Sequence, residues 1–341
     1  MGKPKFSALG FATLASFAFG SHIPAVHQQS TNKKVGTVVV EASNDAIESF
    51  AIDGQGETIC YGTLSSTLNV LDWKTRKTSS VKMPDRVSGV CWCEKLKVWY
   101  VGLQDSEVYQ VAKDFGLMTK VSGVVDQEQL GIGLMVCGED GTVYADGPGL
   151  EPRLTKIEGT KAHVMNLNFE GRVLADVALF DDRIAVVTTD PNKGGEHLYM
   201  VDAKSTKILW HQVVSKNSTA IFVAKAAFVH GGSSIVLSVA EGLEYFNADT
   251  GEVLRTDHVQ PNEYAPSQAL VVIEDGRAIA LTTVYGIKFF ELSGNQLRDV
   301  LVQPRASKML WNPNLGLIWI NDAKRNDLMW LPPSALQSKI P

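Results

Sequence analysis

Charged and polar side chains that could bind ions recur along this chain at intervals of roughly 40 residues. Carboxylate oxygens favour hard cations such as calcium, whereas ammonium and guanidinium groups favour anions. The set predicts either a ring that orients a small polar or anionic ligand or only the solvated lining of a water-filled space. Its members are Glu48, Arg86, Gln129, Asp176, Lys225, Gln268 and Lys308.

Other patterns that carry chemistry are absent from the sequence. The seven histidines show neither the i, i+4 spacing nor the cysteine partners of a metal site. No Gly-x-Ser-x-Gly elbow occurs, and no predicted helix follows Gly131-Ile132-Gly133 as a dinucleotide site requires. We therefore expect no metal centre and no cofactor, while the sequence leaves open whether the protein is an enzyme.

The elements that must position the polar set form a strand-only repeat. An apolar strand, a polar turn, a second alternating strand and an Asp- or Asn-rich turn recur, for example at 59–62 with 68–72 and at 184–187 with 198–202. Such a repeat is typical of a β-propeller, an all-β ring of four-stranded blades. We predict seven blades, or six if the glycine-rich third region is an insertion. The predicted blades begin near Ile47, Val87, Val121, Val173, Ala224, Gln268 and Ser307.

The last predicted blade lacks its outermost strand, because the chain reaches Pro332-Pro333 after only three. An unassigned apolar strand, Val35–Val40, lies upstream of the first blade. We predict that this N-terminal strand pairs into the last blade and closes the ring, which removes exposed sheet edges. Residues 35–341 would then form one propeller domain.

Short segments of the chain resemble known propeller families. The stretch 47–56, with Glu48 before an apolar strand and a Gly/Asp turn, looks like the opening blade of SMP-30/gluconolactonase and strictosidine-synthase-like propellers. The segments 198–210 and 247–254 are similar to the blade repeats of quinoprotein-like propellers. These patterns are short and recur across many propellers.

The lactonase-like resemblance implies a calcium ion in the central channel, held by a Glu, Asn residues and an Asp. Glu48 meets the first position and Asp176 could meet another, but Lys225 and Gln268 stand where further oxygen ligands are needed. The pattern is incomplete, so calcium is only a weak alternative. We predict a non-catalytic scaffold that binds a ligand or a protein, and a divergent lactone hydrolase or secondary-metabolite enzyme is the alternative.

The first 20 residues have the features of a secretory signal. Lys3 and Lys5 precede the apolar run Phe6–Phe19, and Ala18-Phe19-Gly20 offers a cleavage site. We expect a signal peptide at 1–20, a flexible leader at 21–34 and a secreted protein. Asn217-Ser218-Thr219 is the one glycosylation sequon, which predicts glycosylation of Asn217.

The charge and hydrophobicity of the chain exclude some classes of binding partner. A net charge of -5 provides no basic surface for nucleic acid, and no later apolar run is long enough to span a membrane. We expect a monomer whose channel-mouth face binds a small polar or anionic ligand or a protein partner. Four cysteines are too few for a disulfide framework, and both a bridge from Cys60 to Cys91 or Cys93 and free buried thiols remain open.

Overall fold

The computed structural model describes residues 32–42, 45–123, 131–147, 151–190, 195–215, 224–239, 242–258, 269–273, 276–292 and 297–337. Residues 32–341 form one compact unit. The predicted signal peptide and most of the predicted leader fall outside the described residues.

Seven four-stranded antiparallel units follow one another along the chain, which confirms the predicted seven-bladed propeller. In the first six blades the strands run in order from the inner strand a to the outer strand d. Blade one contains β3–β6 at Ile47–Ile52, Thr58–Thr63, Thr67–Asp72 and Thr78–Lys82. Blade two contains β7–β10 at Val87–Cys93, Val98–Leu103, Val108–Ala112 and Met118–Lys120. Blade three contains β11–β14 at Met135–Cys137, Thr142–Asp146, Leu154–Glu158 and Lys161–Val164.

The remaining blades follow the same pattern. Blade four contains β15–β18 at Val173–Phe180, Arg183–Thr189, Glu196–Asp202 and Lys207–Ser215. Blade five contains β19–β22 at Ala226–Val229, Ser234–Val239, Gly242–Asn247 and Val253–His258. Blade six contains β23–β26 at Leu270–Ile273, Ala278–Thr283, Gly286–Glu291 and Leu297–Gln303. Blade seven contains β27–β29 at Ala306–Asn312, Gly316–Asn321 and Asp327–Leu331, and the helix α1 follows at Pro333–Gln337.

The ring closes through the N-terminal segment, as predicted. The strand β2, Thr37–Glu41, pairs antiparallel with β29 and supplies the missing outer strand of blade seven. Just before it, β1, Asn32–Val35, adds a parallel fifth strand to blade six beside β26, which the sequence did not predict. Gly36 joins the two and lies so close to Trp319 that a Cβ there would be 2.2 Å from the indole ring. The ends of the chain are therefore fastened to two neighbouring blades.

The hydrophobic core is divided into layers between adjacent blades. Alternate residues of each strand face opposite neighbours, so Leu198 and Met200 pack toward blade five while Tyr199 and Val201 pack toward blade three. The predicted Asx turns are also present, because the backbone N–H groups of Thr75 and Thr250 donate to Asp72 and Asn247. Within the described part of the chain, no helix is long and apolar enough to cross a membrane.

Blade three begins later than its predicted start near Val121. Its inner strand is β11, and its outer strand β14 ends at Val164. The glycine-rich stretch before β11 packs against blade two, where a Cβ at Gly102 would lie 2.3 Å from the carbonyl oxygen of Ile132. Residues 131–134, where the alternating apolar pattern is interrupted, therefore form this close backbone contact and not a strand.

Candidate functional site

The innermost strands of four blades carry a β-bulge at the same position. The pairing register shifts by one residue between Ile47 and Ser49, between Val87 and Gly89, between Leu174 and Asp176, and between Ala306 and Lys308. A bulge redirects the side chain that follows it. Ser49, Asp176 and Lys308 are therefore structurally equivalent, and they share the inner edge of the ring.

Lys308 lies at the centre of this arrangement. Its Nζ crosses from blade seven to blade one and donates a hydrogen bond of 2.8 Å to Ser49 Oγ, which also accepts the backbone N–H of Val90. The charge of Lys308 also interacts with Lys225 and Asp176 from blades five and four. A side chain that interacts with residues of blades on several sides of the ring lies in the central channel.

The environment of Lys308 disfavours its charge. Desolvation by the surrounding protein atoms is the main cause that lowers its pKa to about 8, and the nearby Lys225 acts in the same direction. Among the described residues, no carboxylate lies within ion-pair distance of its Nζ. In the described part of the chain, the hydrogen-bond partner of the Lys308 ammonium group is therefore a neutral hydroxyl.

Glu48 directly precedes Ser49, the residue that the bulge in β3 redirects. Its carboxylate is already paired with two arginine side chains. Arg86 Nη2 donates to Glu48 Oε2 at 2.7 Å, and Arg325 Nη1 lies 3.8 Å from Oε1. Arg325 comes from the loop between β28 and β29, which reaches the same face as the start of β3. Its contribution could not be predicted from the sequence, because nearly the whole chain separates it from Glu48.

Asp176 is likewise satisfied by protein groups. Lys225 Nζ lies 3.2 Å from Asp176 Oδ1 and donates to the carbonyl oxygen of Ala175 at 2.9 Å. The backbone N–H of Ala226 donates to the other carboxylate oxygen at 2.9 Å. The structure therefore brings together Asp176 and Lys225 as an ion pair that links blades four and five.

Asp146, at the end of β12, is a channel residue that sequence reasoning missed. Its carboxylate oxygens accept the backbone N–H groups of Leu134 and Gly133, which hold the irregular approach to β11 in place. Burial raises the pKa of Asp146 to about 7, against the opposing effect of these hydrogen bonds and of Lys225. The signal available in the sequence was an acidic residue, Asp146, that follows the glycine-rich stretch whose backbone N–H groups it accepts.

The remaining predicted residues do not join the site as described. Gln129, Gln268 and the sequon residue Asn217 lie outside the described residues. Among those described, no group of three His, Cys, Asp or Glu side chains is placed to hold a metal ion. The described channel mouth thus combines four cationic side chains with two carboxylates that are already ion-paired and with the half-buried Asp146. Its cations are Arg86, Lys225, Lys308 and Arg325.

The cysteines favour the second of the two alternatives left by the sequence. All four thiols are free. Cys60 faces the layer between blades one and two, whereas Cys91 and Cys93 face the layer between blades two and three. The sheet of blade two therefore separates Cys60 from both proposed partners.

Many solved structures are similar to this chain. The Cps50 (Swd1) β-propeller domain of Myceliophteria thermophila matches with a TM-score of 0.64 and 12% identity, over 84% of this chain and 96% of that one. Kuenenia stuttgartiensis hydrazine synthase matches with a TM-score of 0.69 and 12% identity, over 92% of this chain and 100% of that one. At this identity the likeness shows the fold alone.

The sequence comparisons give a family. No curated protein matches the chain significantly. A family model described as outer membrane protein assembly factor BamB matches residues 97–317, which is more than half of the chain. This match supports the quinoprotein-like resemblance, and the matches described here do not show a relationship to SMP-30/gluconolactonase. The chain belongs to the BamB family of quinoprotein-like β-propellers.

Proposed function

We propose that this propeller is a non-catalytic binding scaffold whose channel mouth binds a small anionic ligand. One observation carries the proposal: Lys308 projects into the channel and donates to Ser49 Oγ, with no carboxylate in ion-pair contact among the described residues. The acids nearby, Glu48 and Asp176, already have cationic partners. An incoming carboxylate or phosphate would supply the counter-charge that Lys308 lacks.

The proposal is tested by calorimetric titration with inorganic phosphate and with malonate at pH 7. We expect measurable binding that Lys308→Met weakens at least tenfold. Lys204→Met is the matched control, because Lys204 is an exposed lysine on the turn between β17 and β18 and its ammonium group pairs with Asp182. Binding of either anion should also weaken at pH 9.5, where Lys308 is neutral. No binding by the wild-type protein at millimolar anion would overturn the proposal.

A protein partner is the second candidate, because the family description names an assembly factor. The outer strands β18 and β22 of adjacent blades expose Leu209, Val213, Val253 and Leu254, with exposed fractions of 53%, 43%, 57% and 54%. A double variant Leu209→Glu, Val253→Glu should lose such a partner while retaining anion binding. Retention of the partner by that variant would exclude this surface.

We also propose that the protein is exported, on the basis of Lys3, Lys5 and the apolar run that follows. N-terminal sequencing of protein recovered from culture medium should begin at or near Ser21. An intact Met1 on protein confined to the cell would contradict export. Neither outcome affects the test of anion binding.

A further inference from the structure

Cys93 and Cys137 occupy equivalent ends of adjacent inner strands. Cys93 is the last residue of β7 in blade two, and Cys137 is the last residue of β11 in blade three. The turns that follow them are in contact, because Lys95 Nζ donates to the carbonyl oxygen of Asp140 at 2.9 Å. The thiol of Cys93 also lies 3.7 Å from the carbonyl oxygen of Gly141. Two blades therefore meet at this pair of cysteines.

The two thiols border the same turn, because Cys93 Sγ donates to the carbonyl oxygen of Gly141 and Cys137 Sγ donates to that of Gly138 at 3.4 Å. The neighbouring Cys137 side chain is the main cause that lowers the pKa of Cys93 to about 7, with backbone donors at Leu96 and Lys95 adding to the effect. The same contact raises the pKa of Cys137. A thiolate held beside a second thiol is the arrangement from which a disulfide forms.

The other two cysteines provide an internal contrast. Burial raises the pKa of Cys91 to about 12 and that of Cys60 well above its ordinary value. Cys60, Cys91 and Cys93 are all buried, at 0%, 7% and 0% exposed, whereas Cys137 is only partly buried. Of the four thiols, Cys137 is therefore the one that a reagent in solution reaches most readily, and the Cys93–Cys137 pair is reached through it.

We propose that Cys93 and Cys137 are a redox-active pair that forms a disulfide between blades two and three when the protein meets a low-molecular-weight disulfide. This modification site is independent of the anion site, since neither cysteine contacts Lys308, Asp176 or Glu48 in any described hydrogen bond or ion pair. It requires only that the two inner strands stay in their described positions.

The reaction proceeds by two exchanges. The pair loses one proton, and the negative charge rests on Cys93 Sγ. The proton of Cys137 then passes to Cys93, and the freed, partly buried Sγ of Cys137 attacks one sulfur of the small disulfide, whose S–S bond breaks to release a small thiolate. Cys93 then gives up its proton and attacks Cys137 Sγ, which forms the protein disulfide and releases the second small thiolate. The protein loses two electrons and two protons, and the small disulfide is reduced to two thiols.

Peptide mapping after treatment with oxidised glutathione tests the proposal. The full-length protein is incubated at pH 8, free thiols are alkylated after rapid denaturation, and the digest is analysed by mass spectrometry. Cys91→Ala is used beside the wild type, because Cys91 and Cys93 lie on one tryptic peptide. We expect a Cys93–Cys137 linked peptide in both proteins, with Cys60 recovered as a free thiol.

Single variants distinguish the order of events. Cys93→Ser should accumulate a mixed disulfide with glutathione at Cys137, whereas Cys137→Ser should leave Cys93 unmodified over the same period. Full alkylation of both cysteines in the treated wild type, or a link that includes Cys60 or Cys91, would overturn the proposal. The wild-type and Cys91→Ala maps decide the matter even if a serine variant does not fold.

Discussion

Lys308 is held where its own charge is unfavourable, and this is typical of a residue kept for binding. A partly enclosed ammonium group beside a second lysine lowers the stability of the folded chain, yet an anion that enters the channel would reverse the effect. Ser49 Oγ offers only a neutral acceptor. Stability and anion binding should therefore respond to Lys308 in opposite directions.

Lys308→Met should stabilise the protein at pH 7 by about 1–2 kcal/mol, because the half-buried ammonium group is only partly desolvated. Because the pKa of Lys308 falls from 10.5 to about 8 on folding, its penalty is full below pH 8 and is relieved as pH rises toward 10.5. Denaturant unfolding at pH 7 and pH 10 measures this. Equal stability of the variant and the wild type at pH 7 would show that the channel does not disfavour the charge.

Glu196 makes a second residue-scale prediction. It is 2% exposed, and neither of its carboxylate oxygens has a hydrogen-bond partner within the part of the chain that the structure describes. Burial, reinforced by Glu244, raises its pKa to about 7. A raised carboxyl pKa means that stability is present at low pH and is lost as pH rises from the ordinary value of 4.5 through 7.

Glu196→Gln should therefore stabilise the protein at pH 8 by about 1 kcal/mol and have little effect at pH 4.5. The exposed Glu252→Gln is the matched control and should change neither value. Thermal unfolding across this pH range measures the difference. A variant that is no more stable than the wild type at pH 8 would contradict the buried charge.

At the level of elements, strands and turns could be predicted from the sequence far better than the site. The predicted segments 59–62 and 68–72 fall within β4 and β5, because alternating apolar residues and Asx residues are local signals. The bulges are not local, since an extra residue in β3 or β15 is visible only against its partner strand. From the sequence, Glu48 therefore seemed to occupy the same strand position as Asp176. In the structure, Ser49 is the residue that occupies the position of Asp176. The start of blade three was predicted wrongly, because Gly102 allows close contact with the backbone of Ile132 and an alternating apolar pattern does not encode such a contact.

The closing strand β2 gives an element-scale prediction. Val40 is 8% exposed and packs with Ile47 and Leu328, whereas Val38 on the same strand is 47% exposed. Val40→Ala should destabilise the protein by about 1–2 kcal/mol, and the matched Val38→Ala by less than about 0.5 kcal/mol. Denaturant unfolding measures both.

Truncation extends the same argument. A chain that begins at Thr37 loses β1 but keeps β2 and should stay folded, whereas a chain that begins at residue 43 should not fold in soluble form. Unchanged thermal stability of the shorter chain would refute closure through β2.

At the scale of the whole molecule, the ring brings together charges that are remote in sequence. Blades one and two supply Glu48 and Arg86, the loop before β29 supplies Arg325, and blades four and five supply the pair Asp176 and Lys225. Each acid is neutralised by a cation from an adjacent blade or loop. A calcium ion would have to displace these cations and then share the channel with Lys308, which opposes its binding by charge repulsion.

We therefore expect calcium to leave the thermal midpoint of unfolding unchanged, whereas a bound anion should raise it. A ligand present at 100 times its dissociation constant stabilises a protein by about 2.7 kcal/mol, which is a shift of several degrees. Thermal scans with millimolar calcium chloride, sodium chloride of equal ionic strength and sodium phosphate make the comparison. Stabilisation by micromolar calcium that Glu48→Gln abolishes, together with lactone hydrolysis lost in the same variant, would replace the scaffold with a metal-dependent enzyme.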